Sequence, residues 1–261
     1  MFVAGLTSFQ IQGRMRDNSA RGYKNIAAIA TGSIEQHGPL LPLNTDTVIA
    51  EASLAELDRR EDERLFVYPS IQFTNADSGL AYVGTLSVGH DTFRRMLRET
   101  VQCVKQQRYD GLLFLDGHAI NRPSLFEIAY EAVADSFREN RPFPVIILCV
   151  YQFYEFLAEK YDLNIGKHAD WFEGLLFRAS GGCMPSPQNS IVPRDASQIC
   201  RAPAGVAGIP LDQRSDRGVI GAVHNEKETE MLRELIWKDY LDLLSETFRA
   251  SVSDFFDQFC N

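Results

Sequence analysis

Residues Asn25–Asp46 read NIAAIATGSIEQHGPLLPLNTD, and this stretch decides the fold. The segment Asn25–Thr31 is almost continuously apolar, which predicts a buried β-strand. Glycine and proline residues then force turns, and a helix is expected over Thr45–Arg60 with Asn44 or Thr45 as its cap. A strand that runs through a tight loop into a helix is the repeating unit of α/β proteins.

The same alternation of strand and helix continues through the rest of the chain. Strands are predicted at Leu65–Phe73, Gly111–Leu115 and Pro144–Tyr151, and helices at His90–Tyr109, Pro123–Asn140 and Glu226–Phe256. Continuous apolar strands separated by helices are typical of a parallel sheet covered on both faces. We therefore predict an α/β fold: one domain over residues 1–261, three-layer α/β/α, with a mainly parallel central sheet. A long ordered loop region is predicted for Gly181–Gly221, which is rich in Gly, Pro, Ser and Asp.

Composition and charge exclude several classes of function. The chain has 261 residues with a formal net charge of −9, which argues against nucleic acid as a partner because such proteins need clustered Lys and Arg. The N-terminus lacks the pattern of a signal peptide. The longest apolar run, Phe143–Tyr154, contains Pro144 and falls short of the roughly 18 apolar residues that a membrane span needs. We expect no contact with a membrane.

The five cysteines are widely spread and form no CxxC pair. An odd number of dispersed cysteines does not indicate a disulfide framework. Free thiols are typical of a reducing compartment, so a cytoplasmic location is expected.

Acidic and imidazole side chains follow the first predicted strand. Glu35 and His37 are two residues apart, so in extended backbone their side chains lean to the same side. Asp46 follows at the start of the next helix. Open α/β sheets place their functional sites at the carboxyl ends of strands, where this loop lies.

Two further segments carry residues of the same kind. In LFLDGHAINRP, residues 113–123, an apolar strand runs into a turn that contains His118. Neighbouring parallel strands would bring His118 close to Glu35, His37 and Asp46. In KHADWFEG, residues 167–174, His168 and Glu173 stand near a predicted helix start, from which Glu173 can reach the same site.

This set of residue types predicts a metal site. Imidazole with carboxylate suits zinc, manganese or iron(II). Three carboxylates and two histidines exceed what one catalytic zinc takes from protein, whereas two divalent ions would use them all. Asp46, central in the set, is the predicted bridge. Two such ions, roughly 3.5–4 Å apart, lower the pKa of a bound water toward about 7 and polarise a substrate carbonyl.

Each of these residues also has an ordinary structural interpretation. An isolated carboxylate near a turn is usually a cap, and an isolated loop histidine is usually hydrogen-bonded to its surroundings. We interpret His90 and His224 in this way, Asp116 as a turn cap, and Asn121 as a possible cap of the helix that begins at Pro123. The combination of residues, rather than any single one, favours a metal site.

Together these segments resemble the creatininase family of metal-dependent amidohydrolases. GSIEQHGPLLPLNTD is similar to the family signature GS-x-E-Q-H-G-P-H-L-P-L-x-T-D, and DGHAIN resembles its N-G-H-G-G-N or N-G-H-Y-E-N motif. KHADWFEG is similar to H-A-G-E-x-E-T-S, while GTLSV and RGVIGA resemble the family's P-G-T-[IL]-S-[LV] and G-V-x-G segments. The matches run in the expected order from about residue 32 to residue 221.

The resemblance implies a binuclear metal centre, a small-molecule substrate and a homo-oligomer, often a hexamer. By position, Glu35 and His118 would bind one metal, His37 would bind the other, and Asp46 would bridge. Glu173 would be a further ligand or an acid–base group, and His168 would transfer a proton.

Departures from the family motifs predict a changed pocket. Ile120 stands where creatininase itself has a liganding Glu. Ser78-Gly79 replaces a common Glu-His pair, and Leu40 and Trp171 replace a His and a Glu. A substrate other than creatinine is therefore expected, with Asn121, Tyr82 and Trp171 as substrate-binding residues.

The leading hypothesis for function is hydrolysis of a non-peptide amide C–N bond, which includes cyclic amides. A peptidase or deformylase on the same scaffold is the alternative enzyme, and a non-catalytic protein that binds a metal or small molecule is the alternative of a different class. A nucleotide-dependent dehydrogenase is disfavoured because no GxGxxG follows a strand.

Overall fold

The computed structural model describes residues 2–62, 64–184, 219–222, 225 and 227–259. Its central sheet contains four strands, β1 (Ile26–Thr31), β2 (Phe66–Ile71), β3 (Gly111–Asp116) and β4 (Val145–Cys149). They pair in the order β2-β1-β3-β4, and every pairing is parallel. Thr31 pairs with Asp116, so β1 and β3 end at the same level and their following loops lie side by side.

Helices connect the strands and follow the sheet. They are α1 (Ser8–Ala20), α2 (Thr45–Arg60), α3 (His90–Gln106), α4 (Arg122–Arg138), α5 (Tyr154–Lys160), α6 (Trp171–Ala179) and α7 (Glu230–Phe259). Short 3₁₀ turns lie at Val3–Gly5, Asp77–Gly79, Ala119–Asn121 and Val150–Phe153.

The sheet is buried on both faces, as the apolar strands predict. Ala28 and Leu113 face a core built with α2, α6 and α7. Ala27 and Leu112, one position earlier, face a second core built with α3 and α4. Successive strand residues alternate between the two cores because the side-chain period of a strand is two. The predicted three-layer α/β/α fold with a parallel sheet is confirmed.

Several predicted boundaries needed correction. The predicted strand Leu65–Phe73 is shorter, Phe66–Ile71, and it tolerates Pro69 because β2 is an edge strand. The C-terminal helix begins at Glu230 rather than residue 226, where the Thr229 hydroxyl accepts a hydrogen bond from the Leu232 N–H at 3.1 Å. Of the predicted loop at 181–221, residues 185–218 lie outside the described part of the chain.

Two helices, α1 and α5, have no counterpart in the sequence prediction. Helix α1 starts with a capping box in which Thr7 and Gln10 satisfy each other's backbone N–H groups. Most of its residues are polar, so it has no clear apolar pattern. Helix α5 has seven residues, too few for apolar periodicity to be decisive. Helix α6, by contrast, begins where a helix start was predicted near His168 and Glu173, and its residues from Trp171 to Phe177 are all buried.

No helix in the described ranges is both long and apolar enough to cross a lipid bilayer. Cys103, Cys149 and Cys183, the cysteines that fall in these ranges, are free thiols.

Candidate metal centre

The loop between β1 and α2 places three potential ligands in the interior. Glu35, His37 and Asp46 are each no more than 3% exposed. His37 Nδ1 lies 2.9 Å from the backbone carbonyl oxygen of Glu35, an acceptor that fixes the proton on Nδ1. His37 Nε2 is then directed at Asp46 Oδ1, 3.0 Å away. The two-residue spacing of Glu35 and His37 and the position of Asp46 at the helix start therefore bring the three side chains together.

The loop after β3 brings His118 to the other side of Asp46. Its Nε2 lies 3.0 Å from the carbonyl oxygen of Asn75, so its Nδ1 faces the carboxylates. Nδ1 is 2.8 Å from Asp46 Oδ2 and 3.4 Å from Glu35 Oε2. A Cβ at Gly117 would lie only 2.3 Å from the backbone oxygen of Asp46, so this approach requires glycine.

The start of α6 supplies the third segment. The Asp170 side chain caps the helix by accepting the Glu173 N–H at 3.0 Å. Glu173 Oε2 accepts the Ala169 N–H at 2.6 Å and lies 3.8 Å from His37 Nε2. The imidazole ring of His168 lies beside that of His37, with the ring centroids 4.7 Å apart.

These side chains form two groups of donor atoms. Glu35, Asp46 and His118 make up one group and His37, His168 and Glu173 the other, and within each group the ligand atoms lie within 4.8 Å of one another. Asp46 directs one oxygen to an imidazole of each group. The donor set fits two divalent cations that share the carboxylate of Asp46.

The acidic surroundings favour the charged forms of two imidazoles. Burial by itself lowers the pKa of His37, but the carboxylates of Asp46, Glu173 and Glu35 outweigh it and raise the pKa to about 10. Burial likewise opposes the positive charge of His118, yet Asp46 and Glu35 raise its pKa to about 9. The same attraction that holds these protons is available to metal cations.

The pKa values of the site carboxylates are shifted in different directions by burial and by the neighbouring charges. Burial acts to raise the pKa of Asp46, but the two neighbouring imidazoles hold it well below its usual range. Burial raises the pKa of Glu173 to about 7, and it raises the pKa of Glu35 as well, against the attraction of His118. Negative charge is therefore concentrated on Asp46, the residue shared by the two groups.

His168 has the opposite character. Burial and the positive charge of His37 lower its pKa to about 3, so the imidazole is neutral near pH 7. Its Nε2 lies 3.0 Å from both the backbone oxygen and the side-chain Nε2 of Gln36. In the tautomer that donates from Nε2 to the backbone oxygen, Nδ1 is an acceptor, which suits either a ligand or a proton carrier.

Two serines that the sequence did not single out support the carboxylates. Ser33 donates to Asp46 Oδ2 at 2.8 Å, and Ser78 donates to Glu35 Oε1 at 3.0 Å. Such hydrogen bonds orient ligand side chains. Ser33 lies within the quoted loop, whereas the only signal for Ser78 was its replacement of a common Glu in the resemblance to the family.

Asn121, predicted to bind substrate, is buried and makes its hydrogen bonds at the ends of β1 and β3. Its Nδ2 donates to the Gly32 carbonyl and to Asp116 Oδ1, at 3.1 and 3.0 Å. Asp116 also accepts hydrogen bonds from Thr31 and Tyr151, at 2.8 and 3.1 Å. Burial raises the pKa of Asp116 to about 6. This network connects the ends of β1 and β3 behind the candidate metal ligands.

A cavity of about 530 Å³ opens onto the site. Its wall combines site carboxylates and imidazoles with apolar and charged side chains: Glu35, Asp46, Ser78, Gly117, His118, Ala119, Ile120, Tyr151, Tyr154, Glu155, Ile165, Gly166, Lys167, His168, Glu173 and Ile220. Ile120, 38% exposed, presents an apolar surface where creatininase itself has a Glu by resemblance.

The other two predicted substrate-binding residues lie elsewhere. Trp171 is 2% exposed, and its indole N–H donates to the Asn164 carbonyl at 3.0 Å within the apolar core. Tyr82 is half-buried and is absent from the described residues that line the cavity. The prediction for Trp171 fails because this residue directly follows the helix cap Asp170, and α6 directs its side chain into the apolar core. His90 begins α3, away from both groups, and His224 lies outside the described residues.

Comparison with known families decides where the chain belongs. The sequence model of creatininase, described as creatinine amidohydrolase, matches residues 14–181. The chain belongs to the creatininase family. The matched region contains all six side chains of the two donor groups.

Solved creatininase structures share this fold. The structure titled "Creatininase Mn" superposes with a TM-score of 0.77 and 18% identity, covering 97% of this chain and 98% of that one. A mutant creatininase of Zn–Zn type gives 0.76 and 19% over the same shares. A putative creatinine amidohydrolase from Bacteroides fragilis gives 0.65 and 16%, covering 87% and 90%. The titles of the first two name manganese and zinc.

Curated proteins similar to part of this chain carry a different name. A mycofactocin precursor peptide peptidase of Mycobacterium ulcerans is 35% identical over 104 residues, which are 37% of this chain and 41% of that protein. Its counterpart in Mycolicibacterium smegmatis is 30% identical over 101 residues, 37% and 40% of the two chains. The match thus spans about two fifths of the length of these relatives.

Proposed function

We propose that the protein is a hydrolase that uses two divalent metal ions to cleave an amide C–N bond. The observation that carries this proposal is the position of Asp46, whose two oxygens contact His37 and His118 from separate loops at 3.0 and 2.8 Å. A buried carboxylate between two imidazoles, with further carboxylates on each side, is a geometry suited to a shared pair of cations.

The chain supplies a ligand set for each ion. Glu35 and His118 Nδ1 would hold one, and His37 Nε2 and Glu173 would hold the other, with Asp46 common to both. Zinc, manganese and iron(II) all accept imidazole and carboxylate ligands, and the solved relatives are titled with manganese and zinc. Bound at this site, such ions lower the pKa of water toward about 7 and polarise a carbonyl group.

The remaining chemistry belongs to residues of the chain. His168 Nδ1, free to accept, would take a proton from the attacking water and pass it to the leaving nitrogen. Glu173 is the alternative carrier, because burial raises its pKa to about 7. Ser33 and Ser78 hold the carboxylates of Asp46 and Glu35 in place during this transfer.

The cavity favours a small-molecule amide. A volume of about 530 Å³ lies in the range typical of small-ligand sites. Ile120 and Ser78 line it in place of larger or charged groups expected from the family, which supports a substrate other than creatinine. Peptide hydrolysis is the second candidate, and it is favoured by the names of the curated relatives.

The test is metal reconstitution of the full chain. Protein stripped with a chelator and reloaded with Zn²⁺, Mn²⁺ or Fe²⁺ should bind two equivalents and hydrolyse members of a panel of cyclic amides, formamides, N-acyl amino acids and short peptides. Asp254→Ala, an exposed acid on α7, is the control and should behave as the parent. Uptake of less than half an equivalent, or binding without turnover of any panel member, would favour the non-catalytic alternative.

A homo-oligomer is proposed from the family resemblance. Light scattering of the purified chain measures it directly, and a monomer at micromolar concentration would contradict it.

A further inference from the structure

Lys167 differs from the other lysines of the chain in the contacts of its side chain. The chain has six lysines, and within the described residues five of them contact an acidic or aromatic partner: Lys24 with Phe256, Lys105 with Glu139, Lys160 with Asp239, Lys227 with Asp162, and Lys238 with Asp242. Lys167 is the exception, since its side chain makes no ion pair, hydrogen bond or ring contact with any described residue. It is exposed and lines the cavity at the candidate metal centre.

The backbone holds Lys167 in a defined place beside the proposed proton carrier. Its N–H donates to the Ile220 carbonyl at 2.7 Å, and the Ile220 N–H donates to the His168 carbonyl at 2.9 Å. These bonds form an antiparallel bridge between His168 and Ile220. Lys167 and His168 are therefore adjacent residues whose backbone is held by Ile220, and both line the same cavity.

No described residue of the cavity wall pairs with this cation. Four carboxylates line the same cavity, those of Glu35, Asp46, Glu155 and Glu173, yet none of them lies within 4.0 Å of the Lys167 ammonium among the described ion pairs. The neighbouring wall is apolar and is formed by Ala119, Ile120, Ile165 and Ile220. A cation that has no partner among the described residues and lies beside an apolar wall suits a ligand that carries a carboxylate and an apolar side chain.

We propose that Lys167 binds the carboxylate of an amino-acid leaving group. The substrate class is then an amide whose nitrogen belongs to an apolar α-amino acid with a free carboxylate. Water adds its oxygen to the acyl carbon, the C–N bond breaks, and the nitrogen takes a proton, so the products are a carboxylic acid and a free amino acid. This inference rests on the proposed amide hydrolysis, with His168 next to Lys167 serving the same leaving nitrogen.

The first arm of the experiment measures binding to the metal-loaded full chain. The probes are N-methylsulfonyl-leucine, which has no hydrolysable amide, and its carboxamide analogue, which lacks the negative charge. The parent should bind the carboxylate about tenfold more tightly than the carboxamide. Lys167→Ala should remove this difference, Lys167→Arg should keep most of it, and the control Lys238→Ala should leave it unchanged. No preference in the parent, or a preference retained by Lys167→Ala, would overturn the proposal.

The second arm measures hydrolysis of N-acetyl-leucine and of N-acetyl-alanyl-alanyl-leucine. Turnover of the first assigns the carboxylate to a single acylated amino acid, and turnover of the second alone assigns it to a peptide C-terminus. In either case the carboxylate proposal is supported if Lys167→Ala raises KM about tenfold with little change in kcat. Binding that depends on Lys167 without turnover of any amide would leave the recognition proposal standing while the proposed hydrolase function fails.

Discussion

Asp46 shows how much one residue contributes to this site. It lies in the first turn of α2, where the helix dipole favours a negative charge, and its two oxygens face histidines on separate loops. Ser33 fixes its orientation. Removing either the charge or one oxygen therefore disturbs both donor groups at once.

We predict that Asp46→Asn abolishes metal binding at both positions, even though its shape is preserved. The amide group is a weaker ligand, and one of its ends is a donor that repels a cation. Metal content after dialysis, measured by mass spectrometry, should fall from two equivalents to near zero, and hydrolysis should disappear with it. The exposed variant Asp254→Asn should bind metal as the parent does. Retention of two equivalents by Asp46→Asn would remove the basis of the binuclear proposal.

Ser78 offers a subtler test at the same scale. Its hydroxyl donates to Glu35 Oε1 at 3.0 Å, and a Cβ on the adjacent Gly79 would lie 2.9 Å from the same carboxylate oxygen. Ser78→Ala should free the carboxylate to rotate and weaken metal affinity by about tenfold, with the unfolding midpoint of the metal-free protein nearly unchanged. Competition with a fluorescent chelator measures the affinity. Ser253→Ala, on the exposed face of α7, should have no effect.

Sequence reasoning located the candidate metal ligands but not the residues that hydrogen-bond to them. Glu35, His37 and Asp46 could be located because they follow the recognisable strand β1, and His118 because it follows β3. Ser78 and Asn75 could not be located in this way, since their partners lie 43 positions away in the chain. Asn121 and Trp171 were assigned to the pocket on motif position, whereas hydrogen bonding and helix direction turned both inward.

At the scale of elements, the position of α2 against the loop after β3 determines the site. The loop passes so close to the start of α2 that Gly117 has no room for a side chain. This contact sets the separation between Asp46 and His118. The apolar strands and their order of connection were predictable from the sequence because buried parallel strands have a distinctive composition. The start of α7 at Glu230 was not predictable, because it depends on the hydroxyl of Thr229 as a cap rather than on the apolar pattern.

We predict that Gly117→Ala destabilises the protein by about 2–4 kcal/mol, because the added methyl group collides with backbone atoms of Asp46. Urea unfolding of the metal-free chain measures the change. Gly13→Ala is the matched control: it lies within α1 with nothing within 4 Å of its Cβ, so it should stabilise by about 0.5–1 kcal/mol. Equal effects of the two substitutions would show that the approach of the loop to α2 is not tight.

At the scale of the whole molecule, protons and metals compete for one acidic pocket. In the metal-free protein the pKa values of His37 and His118 are raised to about 10 and about 9, so both imidazoles carry protons at pH 7. Metal binding must release those protons. As the pH rises, the stability of the metal-free fold should therefore fall and the metal affinity should increase.

The sign of each effect follows from the raised pKa values. The stabilisation that these histidines give the metal-free fold is complete below about pH 6.5, the unfolded pKa, and is lost as the pH rises through about 9 to 10. Metal affinity should instead increase over the same range. Calorimetry of Zn²⁺ binding at pH 7 in PIPES and in Tris should give enthalpies that differ by the number of released protons, two, times the difference between the ionisation enthalpies of the buffers. Identical enthalpies would mean that no proton is displaced.

The bridge between His168 and Ile220 also bears on how the architecture is divided. A fragment limited to residues 14–181 would retain every candidate ligand but would lose Ile220, which bridges to His168 from outside the matched region. It would also lose the helical cover that Tyr240 and Leu244 give to one side of the sheet. The segment that carries the candidate ligands is therefore shorter than the part of the chain that supports them, and we expect a fragment cut at the borders of the family match to lose the arrangement of the site.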